Sequence, residues 1–193
     1  DLGKYADALI AFDRALSLKP DFPEAHLNRG DALQDLQRHE EAVICYDRAL
    51  AIRPRYAKAL NNLGTALREL NRHDEALVAL DRALSIDPNH PEALNNRGAT
   101  LQALLRPEDA LACYDRALAL KPDYAKALHN RGTALAGLQR YSDAAQTFAQ
   151  LVALHPDYDY AVGNLLKCQL HCCAWEHVPL LQRRIVDAVD RGK

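Results

Sequence analysis

The 193-residue sequence predicts an all-α solenoid, a stack of antiparallel helix hairpins recurring every 34 residues. Three observations predict it. Pro20, Pro54, Pro88, Pro122 and Pro156 fall at an unbroken interval of 34 residues, and self-similarity at such a period marks a repeat array rather than a domain with one central core. Each interval holds two amphipathic stretches: in residues 57–90 the first carries Ala59, Leu60, Leu63, Gly64 and Leu67, and the second Ala76, Leu77, Leu80, Ala83, Leu84 and Ile86, at the i, i+3, i+4 spacing of a helix face. Leu70-Asn71-Arg72-His73-Asp74 leaves room only for a tight connection between them, so the two helices run antiparallel.

Taken in order, residues 1–22 fit only the second helix of a unit, with Asp1–Tyr5 aligned to the interhelix turn and Ala8, Phe12, Ala15 and Pro20 in phase behind it. A lone half-hairpin lacks the partner for its apolar face, so the chain reads as a piece of a longer array. Residues 23–56, 57–90, 91–124 and 125–158 are four complete units, each stopped by its proline, which lacks an amide and disfavours helical geometry in the residue before it. Counting residue 57 as the first position, the eighth is Gly30, Gly64, Gly98 and Gly132, and the twentieth is Ala8, Ala42, Ala76, Ala110 and Ala144. A mid-helix glycine costs about 1 kcal/mol relative to alanine; recurring in each unit, it is expected to let the paired helix approach. The twenty-fourth position, Phe12, Tyr46, Leu80, Tyr114 and Phe148, supplies the bulk between hairpins. Position seven holds Arg29, Leu63, Arg97 and Arg131, and position twenty-five Asp47, Asp81, Asp115 and Ala149; Arg29 with Asp47 and Arg97 with Asp115 are expected to pair across their own hairpins. From residue 159 the pattern decays: Asn164 and Leu165 keep the phase, but Leu166 replaces the glycine and Trp175 and Pro179 have no counterpart, so 159–193 reads as a degenerate repeat, terminal cap or junction.

The concurrence of Leu63-Gly64, Leu67, Ala76, Leu80, Ala83 and Pro88 over four full copies resembles the tetratricopeptide repeat (TPR). The position that is often a bulky aromatic in that family is His26, Leu60, Leu94 and Leu128 here. The resemblance implies a right-handed superhelix whose first helices line a concave groove. Within it, Tyr160–Leu166 through Cys172-Cys173-Ala174-Trp175 is similar to the segment joining the repeats to the catalytic part in bacterial relatives of the O-linked N-acetylglucosamine transferase and SPINDLY family.

Composition narrows the remaining classes. With 24 Lys plus Arg against 26 Asp plus Glu, interspersed, there is neither a basic stripe for nucleic acid nor an acidic tail. The apolar runs are short and broken by charge, so no membrane span or signal peptide is expected. Five cysteines, odd in number and with Cys168, Cys172 and Cys173 clustered, do not form a disulfide framework and point to a reducing, cytoplasmic setting. Cys168 and Cys172 share a helical face near His171 and His177, but the ligand spacing of a closed zinc site is absent and cysteine packs as a small apolar residue, so no metal is expected. No phosphate loop, metalloprotease helix or nucleophile elbow occurs. Neither a catalytic residue nor a cofactor is assigned to the chain.

One polar position holds steady. Position six is Asn28, Asn62, Asn96, Asn130 and Asn164, whereas position five varies as Leu27, Asn61, Asn95, His129 and Gly163. Asparagine is a mediocre helix former, so propensity does not hold it there. The resemblance to the O-linked N-acetylglucosamine transferase family implies an asparagine ladder along the groove, flanked here by Asn61, Asn95, His129, Lys58 and Lys126. A carboxamide has one acceptor and two donors and can pair with a peptide backbone without reading its side chains. Rungs about 10 Å apart and an extended peptide rising about 3.3 Å per residue would meet at roughly every third residue. Two alternatives stay open: the asparagines are inherited surface residues, or they bond the neighbouring repeat. The expected function is protein–protein interaction through extended segments, as the recognition arm of a glycosyltransferase-like protein or as a free-standing scaffold. The mixed charges of Glu24, Asp31, Lys58, Arg68, Glu92 and Lys126 disfavour a carboxylate clamp.

Overall fold

The computed structural model describes residues 2–173 together with 182, 183 and 186, and these are helical apart from short connections. Two compact units divide the chain at Leu104 and Leu105. The first contains α1 (Leu2–Leu18), α2 (Pro23–Asp35), α3 (His39–Ile52), α4 (Ala57–Glu69), α5 (His73–Ile86) and α6 (Pro91–Ala103); the second contains α7 (Pro107–Leu120), α8 (Ala125–Gly137), α9 (Tyr141–Leu154) and α10 (Ala161–His171). In the first unit each helix packs on the next, and α4 also touches α2 and α6. In the second, α8 packs on α7 and α9, and α9 on α10. No helix among the described residues is long and apolar enough to cross a membrane.

The small-against-large packing has a definite geometry. Tyr46, Leu80, Tyr114 and Phe148 are all at most 2% exposed, and glycine at position eight makes room for Tyr46, Leu80 and Phe148. A Cβ placed on Gly30 would lie 2.5 Å from Tyr46 Cε1, on Gly64 2.6 Å from Leu80 Cγ, and on Gly132 2.7 Å from Phe148 Cζ. The glycine therefore faces position twenty-four of its own hairpin, not the alanine at position twenty. Those alanines, Ala42, Ala76, Ala110 and Ala144, are themselves fully buried.

The interhelix turn is set by a residue in the left-handed region. Gln37, Asn71, Leu105, Gln139 and Cys173 have φ between 55° and 60° and recur at position fifteen. In three complete turns the following amide reaches back five residues, Arg38 to Leu33, Arg72 to Leu67 and Arg140 to Leu135, each at 2.9 Å. This Schellman pairing satisfies carbonyls that the helix end would leave open. A Cβ crowds the following carbonyl oxygen in this conformation, and at Leu105 the side chain is apolar and 88% exposed, so neither a local hydrogen bond nor burial offsets the cost. Leu105→Gly is expected to raise stability by about 0.5–1 kcal/mol, and Leu105→Val to lower it. Equal urea midpoints for the three proteins would be inconsistent with strain at that turn.

The N-terminus and the pairing of arginines differ from expectation. Leu2–Tyr5 are helical and continue α1, not a turn, and the nearby Asp35 of α2 pushes the Tyr5 phenol above its ordinary value. No residue of α1 with a described side chain is fully buried. Arg29 pairs with Asp13 at 2.8 Å, Arg97 with Asp81 and Arg131 with Asp115, both at 2.6 Å. Each arginine thus meets position twenty-five of the preceding hairpin, and among the described residues the expected Arg29–Asp47 pair is not made. Position seven lies on the side of the first helix that faces the hairpin before it. The same guanidinium also holds its own hairpin, through Cys45 Sγ from Arg29 at 2.9 Å and Thr147 Oγ1 from Arg131 at 2.5 Å.

The decay after residue 159 is shallower than the sequence suggests. α10 starts two positions late, after Tyr160 at φ 60°, yet it ends in step with the other first helices and places Cys173 at position fifteen. Trp175 and Pro179, on which the cap or junction reading also rested, and His177 of the cysteine–histidine cluster lie outside the described residues.

Candidate functional site: a carboxamide chain on the first helices

The asparagines of α4 and α6 belong to one hydrogen-bonded chain that ends on a carboxylate of α2. Asn62 donates from Nδ2 to Asp31 Oδ1 at 2.7 Å, and its own Oδ1 accepts from Asn61 Nδ2 at 3.0 Å. Asn61 Oδ1 accepts from Asn96 Nδ2 at 2.9 Å, and the second Asn96 proton reaches Thr65 Oγ1 at 3.1 Å. Asn95 Nδ2 points at Asn96 Oδ1 at 3.5 Å, a weak closing link. The direction of the chain follows from Asp31. An ionised carboxylate only accepts, so Asn62 must present its amide nitrogen, and every carboxamide behind it is then oriented the same way.

Helix periodicity places these groups. Positions five and six are adjacent on a first helix, and position nine lies three residues further on, beside position six along the helix surface. Asp31 and Thr65 occupy position nine and receive the position-six asparagine of the next unit. Thr65 can accept because its proton goes to the Asn61 carbonyl at 3.1 Å. Asp31 is further held by the Tyr46 hydroxyl at 3.0 Å and by Lys58 Nζ at 3.8 Å. Burial, with Asp31 adding to it, pushes the Tyr46 phenol well above its ordinary range. Asn61 and Asn95 are 7% and 3% exposed, whereas Asn62 and Asn96 are half-buried.

The other expected residues fall into distinct places. Asn28 is exposed, and among the described residues its carboxamide makes no hydrogen bond. Asn130 is half-buried at the equivalent place on α8, and Lys126 is exposed. His129 does not continue a carboxamide row: its ring sits between Phe148 and Tyr158, with centroids 6.1 and 5.5 Å away, and burial holds its pKa below the ordinary value. Among the described residues Asn164 makes no side-chain hydrogen bond, and it lines a cleft of about 290 Å³ with Thr133, Ala136, Tyr141, Phe148 and Lys167. The Cys168 thiol is buried, which pushes its pKa up, while Cys172 and Cys173 are exposed and His171 stacks on Tyr141 at 4.3 Å.

Sequence reasoning missed Asp31, Thr65 and Tyr46 as members of the site. A signal existed: position nine is polar in Asp31, Thr65, Thr133 and Lys167, one turn from the steady asparagine.

Comparison with known proteins gives one consistent result. Profiles described as tetratricopeptide repeat match residues 21–89, 91–124 and 126–158, and one described as TPR repeat matches 1–37. The chain has no significant match among curated proteins. Among solved structures it is similar to PilW, a widely conserved type IV pilus biogenesis factor, with TM-score 0.85 and 23% identity over 94% of this chain and 84% of that one. TTC0263, a thermophilic TPR protein from Thermus thermophilus, superposes with TM-score 0.74 and 24% identity, covering 88% and 92%. YrrB, described as a TPR protein with an unusual peptide-binding site, gives 0.70 and 22%, covering 92% and 91%.

Proposed function

The chain belongs to the tetratricopeptide repeat family, and on that footing we propose that the face lined by α2, α4 and α6 binds extended segments of partner proteins, with asparagine oxygens accepting hydrogen bonds from the partner's backbone amides. The observation that carries the proposal is the state of the carboxamides. The nitrogens of Asn62 and Asn96 are committed within the chain, but a carboxamide oxygen has two lone pairs and each oxygen here accepts at most one internal bond. Asn28 retains its full set. Such a face offers acceptors at repeating intervals, and an extended peptide has an N–H at every residue except proline. Recognition is then sequence-tolerant. That a TPR protein of similar fold, YrrB, has a peptide-binding site lends support to the class of ligand.

The finer reading, a recognition arm of an O-linked N-acetylglucosamine transferase-like protein, rests on the asparagine ladder and on the sequence of residues 160–175; a free-standing adaptor is the alternative. A transferase domain in the same reading frame separates the two. Five free cysteines suit the reducing, cytoplasmic setting we propose for it.

Asn28→Ala isolates binding from folding. With no partner to lose, it is expected to leave the melting temperature unchanged while weakening capture of unrelated extended peptides by about two- to tenfold, one neutral hydrogen bond. Peptide affinities equal to those of the parent across the set would remove Asn28 from the site.

A further inference from the structure

Among the four complete units, residues 23–158, the arginine staple to the preceding hairpin is missing once, at Leu63. Arg29, Arg97 and Arg131 each place Nε on the aspartate at position twenty-five of the hairpin before. Where α4 meets α3, that aspartate is present as Asp47, but position seven is Leu63. Among the described residues Asp47 forms no hydrogen bond or ion pair, and Arg72 beside it is committed to Glu75 through two bonds of 2.7 Å. Leucine is shorter than arginine and leaves a cleft of about 330 Å³. Its apolar wall is Val43, Leu63, Leu67 and Val78, and Asp47 and Glu75 stand at its edge. Val78 is 61% exposed.

We propose that this cleft docks an arginine side chain of a partner protein, its guanidinium on Asp47 and its methylenes against Leu63 and Val78. The chain itself supplies the precedent, because three guanidinium groups occupy the corresponding place in the other staples. In the Arg29 copy the Glu41 carboxyl is held below its ordinary range, first by its bond to Arg38 and further by the nearby Arg29 charge, and Glu75 holds the same position in the open copy. Charge favours a cation: with Arg72 and Glu75 paired to each other, Asp47 and Asp74 line the cleft against Arg82. Burial pushes the Asp47 carboxyl up, with Arg72 next and opposing it, as for a carboxylate partly withdrawn from water without a bonded counterion. Arginine is preferred to lysine because a planar guanidinium pairs with a carboxylate while stacking its apolar stem. This surface involves α3, α4 and α5 and does not depend on the asparagine face.

The test is a chemical-shift titration of the full chain with acetyl-Gly-Arg-Gly-amide. Saturable shifts are expected at the amides of Asp47, Val78 and Ala79, weakened by about tenfold or more in Asp47→Asn. Leu63→Arg should abolish them, because it rebuilds the chain's own staple inside the cleft. Three results would overturn the proposal: shifts elsewhere only, shifts that persist in Leu63→Arg, or equal affinity for acetyl-Gly-Lys-Gly-amide. Self-association that Leu63→Arg abolishes would also overturn it, in favour of a second copy of this chain. Asp47→Asn leaves the packing intact, so the result does not hinge on how well the Leu63 variant folds.

Discussion

Gly30→Ala is expected to destabilise the protein by about 1–3 kcal/mol, although alanine is the better helix former by about 1 kcal/mol. The new Cβ would sit 2.5 Å from Tyr46 Cε1 and 2.9 Å from Cδ1 and Cζ. The ring cannot yield, since Tyr46 is fully buried and its hydroxyl is held by Asp31 at 3.0 Å and Gln34 at 2.9 Å. The penalty is therefore steric and falls on the α2–α3 hairpin. Gly137 and Gly163 are the internal controls: a Cβ at either meets nothing within 4 Å, so alanine there should gain up to about 1 kcal/mol. If urea unfolding gave Gly30→Ala and Gly137→Ala shifts of the same sign, the packing role assigned to position eight would be wrong.

Asn62→Ala is expected to cost about 1–2 kcal/mol after allowing for the better helix propensity of alanine. It removes a 2.7 Å bond to the Asp31 carboxylate and leaves the Asn61 amide, 7% exposed, without its acceptor. The loss falls on the join between α2 and α4, so a double-mutant cycle of Asn62→Ala with Asp31→Ala should report a coupling of about 0.5–3 kcal/mol. Asn28→Ala, which breaks no bond, should stay within about 0.5 kcal/mol of the parent. Zero coupling between Asn62 and Asp31 would mean that the carboxamide chain holds nothing together.

Periodicity made the fold readable before any coordinates. A proline every 34 residues and two amphipathic faces per unit leave few arrangements for a chain, and the glycine at position eight announced a close contact even though its partner proved to be position twenty-four. What periodicity does not carry is the offset between neighbours. Arg29 and Asp47 lie in one hairpin by sequence, yet Arg29 reaches back to Asp13, because the direction in which a side chain leaves a helix depends on its face and not on its unit. The asparagines show the same limit. Their constancy pointed to a shared role, but only the helix spacing shows that Asn62 and Asn96 reach Asp31 and Thr65 in the unit before. Leu105 at φ 58° was invisible for a different reason: sequence signals for a left-handed turn rest on glycine and asparagine, and the register of the array imposed that conformation on a leucine.

The proposal that asparagine oxygens accept from a partner's backbone amides is tested most directly by removing those amides from the ligand. An extended peptide captured by the protein would be titrated against the same sequence with its backbone nitrogens methylated at alternate residues, side chains unchanged, using isothermal calorimetry. Affinity is expected to fall by at least about tenfold, the equivalent of losing one to three hydrogen bonds, and Asn28→Ala should add little further loss to the methylated ligand. Equal affinity for the two peptides would contradict backbone recognition by the carboxamide chain.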